Sequence, residues 1–236
     1  MESSFAQNQV LSRYAESGYN LLYSYTELKN LNIDIDFIHA LIQAFEDEKA
    51  FSEDIFSKFS LQTILDYIHR THQYYLTKKL CEIEQSIDIL LKDYSNNHPL
   101  LHILNNFFND YREGLTAHIH AEEAELIPYI KILLQVENNN AASEKFLNAI
   151  SKFSVQTFID HHQDTEKDIS NVQQAILQYH PPVTNQTPYR ILLSQLQTFE
   201  HDLAIHALIE DHVLIPRVLR LEKKLHEIYK SESLRN

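Results

Sequence analysis

Glycine is nearly absent from this chain, at 2 of 236 residues, where roughly 7% is usual. Hairpin turns and bulges depend on glycine's access to positive φ. An all-β fold is therefore close to excluded, and an α/β fold is disfavoured. Gly18 and Gly114 stand alone, which also excludes a glycine-rich phosphate loop. The length is ample for one sizeable core. The expectation is an all-α protein.

Charge and cysteine content narrow the function classes. A formal net charge of −13 argues against a broad basic surface for nucleic acid. The single cysteine, Cys81, excludes an intrachain disulfide framework and a thiolate zinc or iron–sulfur site. There is no run of about 18 apolar residues and no charged-then-apolar leader. These features predict a soluble, cytoplasmic chain with no membrane partner.

Four long helical patterns lie between breakers. The first runs from about Leu61 to about Tyr94, with Ile64, Leu65, Ile68, Leu76, Leu80, Ile83, Ile87 and Leu90 at helical spacing. It stops at Ser95-Asn96-Asn97-His98-Pro99. The second runs from about Leu100 to the mid-130s. The third covers roughly Ala142 to Tyr179, with a break near Ser151–Ser154. The fourth starts near Pro188, a first-turn proline, and continues to about Tyr229. Short connections between four such helices predict an up-down-up-down bundle over residues 61–230. Residues 1–60 read as a small helical region with little chemistry of its own.

Histidine carries the chemistry. The second helix reads His118-xxx-Glu122-xxx-Leu126-Ile127-Pro128 and the fourth reads His206-xxx-Glu210-xxx-Leu214-Ile215-Pro216, 88 positions apart. The first and third helices carry His72-Gln73 and His162-Gln163, 90 positions apart. The chain thus reads as two helical hairpins related by an internal repeat. Residues i and i+4 share a helix face. Each His-xxx-Glu pair can therefore present a nitrogen and a carboxylate to one point. Antiparallel packing would gather four imidazoles and two carboxylates inside the bundle. Such a thiolate-free set suits iron or manganese, and also zinc. Glu123, about 100° round the helix from Glu122, is expected to matter much less. Pro128 and Pro216 are expected to kink or end their helices. His69 shares the face of His72 and is a candidate outer neighbour. His39 reads as surface or half-buried, His102 as structural or surface, His120 and His212 as pointing away from the ligand face, and His201 and His226 as surface.

These segments resemble the hemerythrin-like domain, and more closely its di-iron branch known as repair-of-iron-centres proteins. The resemblance covers about residues 60–220. It implies that Glu122 and Glu210 bridge two non-haem iron ions and that His118, His162, His206 and a first-helix histidine cap them. It further implies a role in restoring iron–sulfur clusters after nitrosative or oxidative stress, with O2 and NO as small ligands and an iron–sulfur protein or redox partner. Three departures are visible. An ungapped match places the family's first-helix ligand on Gln73, whereas the internal repeat places it on His72. We take His72, because a glutamine amide is a poor iron ligand. A further family histidine falls near Tyr94. The adjacent cysteines common in the family's N-terminal region have no counterpart in residues 1–60. A carrier or sensor of O2 or NO without turnover, and a metal-buffering bundle, remain the alternatives.

Overall fold

A computed structural model describes residues 4–14, 33–94, 99–139, 149–161, 172, 176, 177 and 186–233. Its helices are α1 (Phe5–Leu11), α2 (Ile35–Glu46), α3 (Glu53–Phe56), α4 (Leu61–Tyr74), α5 (Leu80–Asp93), α6 (Pro99–Ala121), α7 (Ile127–Asn139), α8 (Val155–His161), α9 (Thr187–Ile209) and α10 (Ile215–Ser233). No strand occurs among the described residues, as the scarcity of glycine requires. Short polar side chains set the helix starts. Ser4, Asp34 and Ser60 each accept an orphan backbone N–H in the first turn of α1, α2 and α4. Pro188 sits in the first turn of α9.

Three long rods form the frame: residues 61–93, 99–139 and 187–233. Each is two α-helices joined by one turn of π-helix, at Tyr75–Lys79, Glu122–Leu126 and Glu210–Leu214. In these turns the N–H of Leu80 donates to the Tyr75 carbonyl, that of Ile127 to Glu122 and that of Ile215 to Glu210, five residues back. The prolines do not end their helices, which run on through Pro128 and Pro216. A proline in an α-helix drives its ring at the carbonyl four residues back. The widened turn just before each proline relieves that crowding, and the ladder resumes beyond it.

Two apolar clusters occupy the two ends of the bundle. One holds Ile64, Leu65, Ile68, Leu126, Ile130, Val155, Ile209, Val213 and Val218. The other holds Tyr75, Ile83, Leu90, Leu104, Phe108, Leu115, Val172, Ile176, Leu196 and Phe199. Followed along the chain, residues pass from the first cluster to the second, back, across and back again. That alternation is the up-down-up-down course of an all-α bundle. The break near Ser151–Ser154 is present, because residues 151–154 are not helical. Most of the third helix, His162 included, lies outside the described residues.

Residues 33–60 pack directly on the bundle. Phe37 meets Phe56 edge-on at 5.8 Å and Tyr67 at 5.7 Å, and all three are buried in the first cluster. Such ring pairs add about 0.5–1.5 kcal/mol each beyond the apolar area they bury. His201, read above as surface, is half-buried instead. Its Nε2 lies 3.0 Å from the Phe45 carbonyl, and its ring stands edge-on to Phe45. It ties the C-terminal end of α2 to α9.

Candidate metal centre

Between the two apolar clusters lies a buried polar layer. His72 on α4 is fully buried, as is Glu122 at the start of the second π turn. His206 near the end of α9 and Glu210 at the start of the third π turn are buried too. Helical periodicity explains the inward set, and the i, i+4 spacing brings each pair together. His118 Nε2 lies 3.1 Å from Glu122 Oε1. His206 Nε2 lies 3.3 Å from Glu210 Oε2. From the first rod, His72 Nε2 comes within 3.1 Å of Glu122 Oε2, out of line for a hydrogen bond. The His72 and His206 rings are 5.2 Å apart, centre to centre. Five of the six residues singled out above therefore gather in one layer, and the sixth, His162, lies outside the described residues. Gln73 is exposed, so His72 is the inward residue of that pair.

The carboxylates are closed onto imidazoles. Among the described residues, no three His, Cys, Asp or Glu side chains converge on a single point as a ready metal cage. The electrostatics follow from this pairing. Burial alone would lower the His72 imidazolium, but its contacts with Glu122 and Glu123, and the charge of Glu210, outweigh burial and hold it at about 9. Glu210 moves the other way for an acid. Burial, then the charge of Glu122, raises it above the ordinary carboxylate range against the pull of His206 and His72.

Glu123 has a larger part than its helical angle suggested. Its Oε1 lies 2.8 Å from His72 Nδ1, and Oε2 lies 2.9 Å from His69 Nδ1. The carboxylate holds the far nitrogen of His72 while Nε2 faces Glu122. Burial would raise Glu123, but the two histidines pull it below its ordinary value. His120 and His212 are exposed and point away from the layer.

A second polar group borders the layer, and its Arg13–Asp202 pair was not anticipated. Asp202, one turn before His206 on α9, is fully buried and ion-paired with Arg13, which follows α1. Asp202 Oδ1 also accepts the Tyr75 hydroxyl at 2.6 Å. The Tyr75 ring lies 5.8 Å from the His206 ring. Burial, and after it the charge of Asp202, holds the Tyr75 phenol well above its usual range, so it stays a donor. Tyr75 and Asp202 lie one helical turn from His72 and His206, a spacing visible in the sequence. Arg13 carries no such local signal.

The fold and the layer define an all-α bundle with buried imidazoles and carboxylates at its middle. No known family profile matches the chain. The chain is similar to an iron–sulfur cluster repair protein, ScdA, of Staphylococcus haemolyticus, with 22% identity over 152 residues. The ScdA proteins of two Staphylococcus epidermidis strains are 21% identical over 159 residues, 67% of this chain and 67% of theirs. The chain spans 64% of the length of the S. haemolyticus protein, and the match takes in 64% of this chain. This is distant homology to iron–sulfur cluster repair proteins.

Proposed function

We propose that the chain is a non-haem di-iron protein of the hemerythrin-like kind that acts in iron–sulfur cluster repair under nitrosative or oxidative stress. The observation that carries this reading is the buried layer in which His72, His118 and Glu122 meet beside His206 and Glu210. The donor set fits iron. It offers imidazole nitrogen and carboxylate oxygen with no thiolate, a set that manganese or zinc could also occupy. Two of its nitrogens, His72 Nε2 and His206 Nδ1, are buried without a hydrogen-bond partner. The charge of Glu122 adds to burial in raising the proton affinity of Glu210, and two such buried carboxylates are costly to keep charged. A cation between them would offset that cost.

In this reading Glu122, Glu210, His72, His118, His162 and His206 would hold two iron ions, the carboxylates shared between them. Iron held there would supply a redox-active site for NO or O2. The chain's own residues do the rest. The apolar clusters on either side exclude bulk water. Glu122 serves imidazoles from two rods, and Glu123 fixes the ring of His72 through Nδ1. The repair role is supported by the similarity to the staphylococcal proteins. It implies an iron–sulfur protein or a redox partner and a cytoplasmic setting.

The test is the optical spectrum of the iron-loaded protein with dithionite, NO and O2. Consumption of NO over repeated cycles, with restoration of a damaged iron–sulfur protein, is the expected result. A stable, reversible O2 adduct without turnover would favour a carrier. A protein that takes up no iron would overturn the reading.

A further inference from the structure

The pair Arg13–Asp202 is a costly buried feature outside the His–Glu layer. Both side chains are fully buried, and 189 residues separate them. Taking two charges out of water costs several kcal/mol per ion, and an apolar pair of similar volume is often as stable. The pair is only partly satisfied, since Arg13 Nε and Asp202 Oδ2 are buried without a hydrogen bond. Arg13 Nη1 donates to the Gln9 carbonyl at 2.6 Å. Its guanidinium lies over the Phe45 ring at 4.8 Å and the Tyr74 ring at 5.0 Å. What the pair holds is the informative point. Asp202 Oδ1 takes both Arg13 and the Tyr75 hydroxyl. Tyr75 opens the π turn that directly follows α4, three residues after His72. Its ring packs between Phe199, at 5.1 Å and 82°, and His206, at 5.8 Å and 70°.

We infer that Arg13, acting through Asp202 and Tyr75, is a positioning residue for His206, so that the segment after α1 is a working part of the centre. This inference rests on the di-iron reading. Asp202 is the hub, because it lies one turn from His206 and receives the hydroxyl that pins Tyr75 against the His206 ring. Arg13 supplies the counter-charge to Asp202 and fixes the oxygen that Tyr75 uses. Without Arg13, a buried carboxylate loses its counter-charge and its orientation, and the Tyr75 ring loses its anchor. Hydrophobic packing of α1 alone would not require this geometry. Val10 and Leu11 already bury their side chains in the first cluster.

The test uses the full chain and four variants: Tyr75→Phe, Arg13→Ala, Arg13→Lys and, as a packing control, Val10→Ala. Two quantities are read, the Fe(II) affinity by competition with a chromophoric chelator and the imidazole nitrogen resonances of the metal-free protein. Tyr75→Phe and Arg13→Ala should each weaken Fe(II) binding about tenfold, the lower end for groups that orient a ligand from outside. Both should shift the His206 resonances. Arg13→Lys should recover part of each effect. Val10→Ala should lower Tm and leave the His206 resonances in place. Unshifted His206 resonances in Tyr75→Phe, or Fe(II) affinity within about twofold of wild type, would overturn the positioning role. If Arg13→Ala does not fold, Tyr75→Phe decides alone. Failure of the wild-type protein to bind iron would overturn the di-iron reading instead, and the metal-free resonances keep the two outcomes apart.

Discussion

Replacing Glu123 with alanine removes the carboxylate that holds His72 Nδ1 at 2.8 Å and His69 Nδ1 at 2.9 Å. His72 keeps its contact with Glu122, 3.1 Å from Nε2, so its ring is freed rather than lost. A hydrogen bond to a charged group contributes about 1.5–3 kcal/mol when protected. The Glu123 side chain is 23% exposed, so water can replace part of that contribution. A cost of about 1.4 kcal/mol in Fe(II) binding follows, or about tenfold in Kd. Glu123→Gln retains one acceptor oxygen and should lose less. Glu125→Ala, an exposed position on the same π turn, should lose nothing. Chelator competition on the four proteins gives the numbers. An unchanged Kd in Glu123→Ala would refute the claim that this carboxylate orients His72. A loss as large as that of Glu122→Ala would also refute it, since an orienting group cannot cost as much as a bridge.

The remaining expectations concern the layer itself. His72→Ala should lose iron and its iron-dependent absorption band, whereas Gln73→Ala, at an exposed position, should keep both; the reverse result would move the ligand to Gln73. Glu122→Ala or Glu210→Ala should release at least one ion, because each would serve both, and elemental analysis of the purified variants checks it. The metal-free fold should weaken in alkali. The folded-state value of His72 is raised from 6.5 to about 9, so its contribution is fully present below about 6.5 and is lost as pH rises through about 9. Glu210, also raised, acts in the same direction, with its contribution lost as pH rises above the ordinary carboxylate range. Tm of the metal-free protein should therefore fall between pH 7 and pH 10, as followed by circular dichroism, and a Tm that rises over this range would contradict the pairing. Iron affinity should run the opposite way, tightening as pH rises, because the proton on His72 Nε2 must leave before a metal can bind.

The helices and the inward histidines were legible because both are periodic. A repeat of His-xxx-Glu at the same offset as Leu-Ile-Pro survives in sequence as plainly as it does in space. The π turns were not legible. One extra residue in a turn leaves the apolar pattern nearly unchanged, and Pro128 and Pro216 read as kinks or helix ends rather than as the sequel to a widened turn. Glu123 was undervalued for a related reason. Its angle on its own helix says that it points away from Glu122, but not that the far nitrogen of His72 waits there on the neighbouring rod. Arg13 was invisible, because no local pattern links it to a partner 189 positions on. The surface reading of His201 failed in the same way, since only the packing of α2 on α9 creates its contact with the Phe45 carbonyl.

The central claim is a pair of bridged iron ions in the layer between the two apolar clusters. The most direct measurement is iron content per chain together with the Mössbauer spectrum of the iron-57-loaded protein. The account predicts two irons per chain, magnetically coupled through shared carboxylates, with coupling lost in Glu122→Ala. One tightly held iron per chain after full loading, or two that show no coupling, would contradict it.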